Sequence, residues 1–364
     1  MDNISISVCM ITKNEENYIA RAISSVRPFV EEIIVVDHNS TDLTPYLAKE
    51  AGAIVFRQPW KDDFAAARNF SITKANHPYI LIMDADETLD SDLESLHAAC
   101  RQMRDHPGTA ARLEIQNVTN NGSVITWATR LFPNLPEFRY HGRIHEQLLA
   151  GGGTFPTWDT PIKLKHYGYL NNQIQSKQKI ERNLKLLMSE LENNPIDPYI
   201  NFQVARTYEQ NRQWELASYY YHKAVERISG TVFPHYHSTL LLHLLKCLIY
   251  LKNWDLFLEI IHYALEIYPD YTDLYYIYGT AVIESQNVEW FPAIPQIFES
   301  CLSLGEADGR KYETTKGVGS FLAHYNLGLY FEITGTISKA VYHYSQSKEL
   351  GYDSAGVRLN TLIQ

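Results

Sequence analysis

The sequence predicts an α/β fold in two parts, a doubly wound sheet followed by an all-α array of repeated helices. Strand and helix signals alternate over the first 90 residues, the rhythm of a parallel sheet. From about Gln175 onward every segment has helical periodicity, and small and large residues recur at fixed offsets. A length of 364 residues, with 45% hydrophobic and 20% charged, suits two ordinary globular domains.

In chain order, "ISISVCMI" is a strand and "NEENYIARAISSV" a helix opening at the capping-type Asn14. "EEIIVVDHNSTD" is a strand running into a polar turn, and "LTPYLAKEAG" a helix stopped by Gly52. "AIVFRQ" is the third strand, "DFAAARNFSITKA" a helix and "YILIMDADET" the fourth strand. From Arg112 to Leu170 the pattern predicts shorter strands, hairpins and loops. The helical region repeats one frame. Ala205, Tyr208, Ala217, Tyr221 and Ala224 stand at offsets of 3, 9, 4 and 3. Leu245, Leu248, Phe257, Ile261 and Ala264 repeat them, as do Gly328, Phe331, Ala340, Tyr344 and Ser347. This is tetratricopeptide spacing, with a degenerate copy carrying an insertion between Tyr278 and Ser300. The expected division is 1–172 for the α/β domain, 173–195 for a connecting helix and 196–364 for the repeats.

The net charge of −10 argues against a nucleic-acid partner. Cys9, Cys100, Cys247 and Cys301 lie far apart, as single buried thiols in a reducing cytosol do. The start of the chain reads as a strand, not a signal peptide. "STLLLHLLKCLIYLKNW" is interrupted by His243 and Lys246, so it reads as a core helix rather than a membrane span. The expectation is a cytoplasmic protein. Its aromatic-rich repeats leave surface for a homodimer.

In a doubly wound sheet the ligand sits at the carboxyl ends of the strands. Those positions are Thr12–Glu15, Asp37–Asp42, Trp60–Asp63 and Asp84–Glu87, all polar and rich in carboxylates. Asp84 and Asp86, one residue apart at the end of an apolar strand, need a partner. Two chemistries use this pattern. One is an aspartyl nucleophile with a second Asp as acid/base, as in the haloacid-dehalogenase phosphatases, but the later Gly-Asp motif of that family is missing. The other is Mg²⁺ or Mn²⁺ on hard oxygen ligands, carrying a nucleotide diphosphate.

"VCMITKNEE", "IIVVDHNSTDLT", "WKDDFAAARNFSITKA" and "ILIMDADETL", read in order over roughly Ile4 to Leu170, resemble family 2 glycosyltransferases of the GT-A nucleotide-sugar-binding fold. The resemblance implies that Thr12, Asn14 and Glu15 line the nucleotide pocket and Asp37 contacts the base. It puts Asp63 and Arg68 on the ribose and diphosphate side, Asp84 near the ribose, and Asp86 on the metal. The plain alternatives are turn-shaping by Asp37, and for Arg68 a surface ion pair with Asp62 or Asp63. "TRLFP" places Arg130 where such enzymes carry an Arg-Leu-Phe run near the diphosphate. In "FRYHGRIHEQL", the resemblance makes His145 a further metal ligand and Glu146 the general base of an inverting transfer; the alternative is a solvated His-Glu pair.

"YHGRIHE", "HYGY" (His166 to Tyr169) and "KIERNLKLL" ahead of repeat helices are similar to the bacterial peptide S-glycosyltransferases of the sublancin type, which modify bacteriocins. That implies a peptide acceptor, through Cys or Ser, docked on the repeats. Cell-envelope saccharide transferases share the layout, and a non-catalytic repeat scaffold is the remaining alternative.

Overall fold

The computed structural model describes residues 4–119, 122–167, 173–228, 230 and 232–363. Gly168 and Tyr169 of the "HYGY" run, and the 172/173 domain boundary, lie outside or at the edge of these. The chain divides into two compact units, Met1–Glu190 and Leu191–Gln364.

The first unit runs β1 (Ile6–Thr12), α1 (Ile19–Val26), β2 (Glu32–Asp37), α2 (Thr44–Glu50), β3 (Ile54–Arg57), α3 (Phe64–Ile72) and β4 (Tyr79–Ile82). It continues with β5 (Glu87–Leu89), α4 (Leu93–Asp105), β6 (Ala110–Thr119), β7 (Gly122–Pro133), β8 (Phe138–His141), β9 (Gln147–Ala150), β10 (Thr157–His166) and α5 (Gln173–Asn193). One eight-stranded sheet has the order β3-β2-β1-β4-β7-β6-β10-β5, and β8 pairs with β9 beside it. β1 to β4 are parallel, and β7 joins β4 antiparallel. The sheet is covered on both faces. Ile6, Val8 and Met10 pack with α1 and α4, whereas Cys9 shares a second cluster with Ala65 and Ile72 of α3 and with Phe138 and Tyr140 of β8. Burial on both faces is why the parallel strands read as unbroken apolar runs.

Two local expectations are corrected. Asn14 does not cap α1. It takes a left-handed φ of 57°, and its side chain accepts from Thr41 N at 2.8 Å, tying two loops together. The first turn of α1 bonds instead to the Glu15 carbonyl, so the helix begins at Ile19. The strands after Arg112 are not short either: β6, β7 and β10 run 10, 12 and 10 residues. β6 and β7 form one long antiparallel ladder, and β10 extends it by pairing in parallel with β6.

The second unit is helical throughout its described secondary structure: α6 (Pro198–Gln210), α7 (Trp214–Arg227), α8 (His237–Tyr250), α9 (Trp254–Ile267), α10 (Thr272–Ser285), α11 (Ile294–Leu304), α12 (Phe321–Ile333), α13 (Ile337–Glu349) and α14 (Asp353–Ile363). The repeat frame falls on helix pairs. Ala205, Ala217, Tyr221 and Ala224 are fully buried between α6 and α7, and Leu245, Leu248, Phe257, Ile261 and Ala264 between α8 and α9. Two pairs share a polar pin: Tyr221 donates to Glu209 at 2.5 Å and Tyr344 to Glu332 at 2.6 Å, each twelve residues apart. No described helix is long and apolar enough to cross a membrane. All four cysteines are free and buried.

Small residues sit where helices cross. A Cβ on Gly328 would lie 2.5 Å from Cε1 of Tyr344, a ring already fixed by burial and by Glu332. Gly328→Ala gains about 0.5–1 kcal/mol of helix propensity. Overpacking against a pinned ring costs about 1–3 kcal/mol and wins. The urea midpoint of this variant is expected to fall; an unchanged or raised midpoint contradicts the packing.

Candidate active site

The carboxyl ends of β1, β2 and β4 open on one side of the sheet, because the three strands are parallel neighbours. Thr12 is in register with Asp37, and both are buried. Asp37 Oδ2 accepts from Ser40 N at 3.1 Å. Thr12 Oγ1 and Asp37 Oδ1 have no hydrogen-bond partner among the described residues. Beside them His38 meets Trp60 edge-on at 5.2 Å. Burial lowers the His38 pKa, which favours a neutral ring. An unmet buried polar atom costs about 1–3 kcal/mol, and such orphans side by side mark a place for a polar ligand.

After β4 the chain turns at Asp84, and a five-member charge network forms. Arg68, buried on α3, donates from Nη2 to Asp84 Oδ1 at 2.8 Å and from Nε to Glu146 Oε1 at 2.5 Å. Arg130 on β7 donates to Asp84 Oδ2 at 2.8 Å and to Glu87 Oε1 at 3.3 Å. Glu87 in turn accepts from Asp84 N at 2.8 Å. Burial works against an ionised Asp84, but Arg130 and Arg68 outweigh it and hold the carboxyl far below its usual range. Burial pushes Glu87 up. The Arg68 guanidinium also lies 5.6 Å from the Tyr140 ring. Both arginines keep one buried N–H unmatched, Arg68 Nη1 and Arg130 Nε. With both oxygens of Asp84 held by guanidinium groups, that carboxylate is badly placed as a free nucleophile, which weighs against the phosphatase chemistry.

Asp86 lies outside this network. Its Oδ2 is 3.1 Å from His166 Nε2, and His166 Nδ1 is 2.9 Å from Asn117 Oδ1. Burial disfavours a charged His166, yet the hydrogen bond and charge of Asp86 raise its pKa. Burial, then the charges of Asp86, Asp42 and Asp84, push Glu15 up to about 7. Carboxylates crowded in this way, with an imidazole among them, are a donor set that a hard dication fits, since it would relieve their repulsion. No three His, Cys, Asp or Glu side chains converge as a complete metal cage among the described residues. An ion that keeps sites for substrate phosphates does not need one.

The remaining singled-out residues take these places. Asn14 and Glu15 lie in the loop after β1, joined to the β2–α2 loop through Ser40, Thr41 and Thr44. Asp63 caps α3, accepting from Ala66 N at 2.7 Å. His145 sits on an exposed turn with a left-handed φ of 52°, and Glu146 follows it into the network. Phe64 N bonds to Arg143 O at 2.8 Å, so that turn is seated on the start of α3. The surface pairing of Arg68 with Asp62 or Asp63 is replaced: Arg68 is 8% exposed, and its partners are Asp84 and Glu146. Sequence reasoning gives Glu87, inside the Asp84–Glu87 run, and Asn117 no role of their own, and it singles out His166 only as part of a motif. The signal for Glu87 was present, as the third acid of "DADE".

Residues 7–156 match the family model of glycosyl transferase family 2. The chain is 36% identical over 205 residues to a TPR repeat-containing protein of Synechococcus elongatus, covering 54% of this chain and 50% of that one. It is 26% identical over 200 residues to the SPbeta prophage-derived glycosyltransferase SunS of Bacillus subtilis, covering 54% and 47%. The chain thus spans about half the length of each. Among solved structures, YrrB, described as a TPR protein with an unusual peptide-binding site, aligns at a TM-score of 0.40 and 15% identity, over 52% of this chain and 87% of that one.

Proposed function

From a family 2 glycosyltransferase domain in residues 7–156, we propose that this chain moves one sugar from a UDP-sugar to a Cys or Ser side chain of a peptide, with inversion and with Mg²⁺ or Mn²⁺ bound. The observation that carries the reading is Arg68 bridging Asp84 and Glu146. It joins Asp84, the first carboxylate after β4, to Glu146 of the His-Glu turn, and on this reading the diphosphate and the candidate base share one wall. Thr12 and Asp37, with their unmet polar atoms, take the nucleoside. Asp86 would hold the metal, with Glu15 and His166 beside it, and the family resemblance adds His145 as a further ligand. When bound, the ion supplies positive charge to the diphosphate as it leaves.

Glu146 accepts the acceptor proton. The acceptor sulfur or oxygen bonds to the anomeric carbon as the bond to the UDP oxygen breaks on the opposite face. Arg68 and Arg130 fix Asp84 and Glu146 in that wall through the Arg68–Asp84, Arg68–Glu146 and Arg130–Asp84 pairs. The helical array docks the peptide, and this acceptor assignment rests on the sublancin-type resemblance. The test is UDP release from a panel of UDP-hexoses with Mn²⁺ and with chelator; no release from any of them removes the reading. Glu146→Gln is expected to lower turnover about 10²–10⁴-fold while UDP affinity changes less than about twofold. Equal loss of both contradicts its role as base.

A further inference from the structure

The degenerate repeat is followed by a loop, residues 305–319 between α11 and α12, that folds back onto the array. Its ends are clasped: Glu306 accepts from Gly317 N at 3.0 Å and from Ser320 Oγ at 2.5 Å. A closed loop of this size with a packed interior is an Ω-loop, a type that is often functional. Its tip touches three successive first helices. Glu313 Oε1 is 2.9 Å from His243 Nε2 on α8, and its Oε2 is 3.7 Å from Arg206 on α6. At the start of α10, Tyr312 stacks on Tyr271 with ring centres 4.1 Å apart, and Thr314 donates to Asp273 at 2.6 Å. Lys311 and Tyr312 both reach Asp270 at 2.6 Å. The first helices pack on one another, α6 on α8 and α8 on α10, so this is the inner side of the superhelix.

The contacts have the chemistry of peptide recognition. A carboxylate is gripped by an imidazole and a guanidinium, an aromatic ring lies on an aromatic ring, and a hydroxyl caps a carboxylate. His243 is held between Glu209 and Glu313; burial disfavours its charge, but the two hydrogen bonds raise its pKa. The hydrogen bond from His243 holds Glu313 down to about 2. The grip continues into an open cleft of about 490 Å³ that shares Arg206 and His243 and adds Arg212 and the stacked pair Trp214 and Tyr250. That volume suits a few side chains.

We propose that residues 305–319 are a self-ligand: they occupy the inner face of the array in place of a peptide segment bearing an aromatic residue followed by an acidic one, and they lift when that peptide docks. The proposal rests on the array being the peptide-docking surface, and its test does not depend on sugar transfer.

A fluorescein-labelled synthetic peptide copying residues 308–316 is titrated by anisotropy against the full chain and against the double variant Lys311→Ala, Glu313→Gln. The variant is expected to bind at least about tenfold more tightly than wild type, and the copy with Gln in place of its Glu to lose that gain. Equal binding to both proteins, or binding to neither while the variant melts cooperatively, overturns the proposal. A second measurement needs no variant. Saturating copy peptide should speed tryptic cleavage of the wild-type chain after Arg310 or Lys311, and an unchanged rate overturns the proposal equally. Intact UDP-dependent turnover alongside either negative result leaves the transferase reading standing.

Discussion

Asp86→Asn removes metal-dependent UDP binding and lowers sugar transfer by at least about 10³-fold, while the unfolding midpoint stays near that of wild type. The asymmetry follows from its surroundings. Asp84 is locked between Arg68 and Arg130, whereas the Asp86 side chain meets His166, with about a fifth of it exposed. An amide keeps an oxygen for a neutral His166 N–H, so the fold loses little. The charge needed by a dication is gone, and Glu15 with it faces one carboxylate fewer. Unchanged turnover, or a collapsed midpoint, contradicts the assignment of Asp86 to the ion. Circular dichroism beside a UDP-release assay reads both.

Arg68→Met has the second large effect, and it reaches stability as well as activity. Methionine fills the space of the side-chain stem but leaves Glu146 without its 2.5 Å partner and Asp84 with Arg130 alone. Removing one partner from a buried ion pair costs about 3–5 kcal/mol. The surviving Arg130 contact puts this site at the lower end of that range. The pH dependence follows from the same pair. Asp84 has its pKa depressed on folding, so its contribution is present above its unfolded value, near 4, and is lost as pH falls through the lower folded value. Wild type therefore loses stability on acidification below about pH 4, and Arg68→Met loses less over the same interval. Urea unfolding at neutral and acidic pH measures this. A variant as stable as wild type, with the same acid slope, contradicts the network.

What the sequence reveals is what lies close along the chain or repeats at a fixed period. The ends of β1, β2 and β4 are legible because apolar runs stop at polar residues, and the parallel rhythm says these ends share one side. The repeat frame is legible because Ala205, Ala217 and Ala224 must be small where helices cross and Tyr221 must fill the gap between them. Pairings over long separations are not legible. Arg68 meets Glu146 across 78 residues and Asp86 meets His166 across 80, and no local pattern specifies either. Asn14 shows the opposite failure: a residue type that caps helices is used here to bridge two loops, because the neighbouring loop presents Thr41 N to it. The self-ligand loop is equally hidden, since Tyr312 finds Tyr271 only once the array has stacked.

The central claim is a nucleotide-diphosphate site completed by a metal at Asp86. Calorimetric titration of UDP into the full chain, with and without Mn²⁺ and with ADP and GDP as controls, tests it most directly. The account predicts binding of UDP that needs Mn²⁺, is not matched by ADP or GDP, and disappears in Asp86→Asn. Failure of every diphosphate to bind, or binding of UDP indifferent to Mn²⁺ and to Asp86, contradicts it.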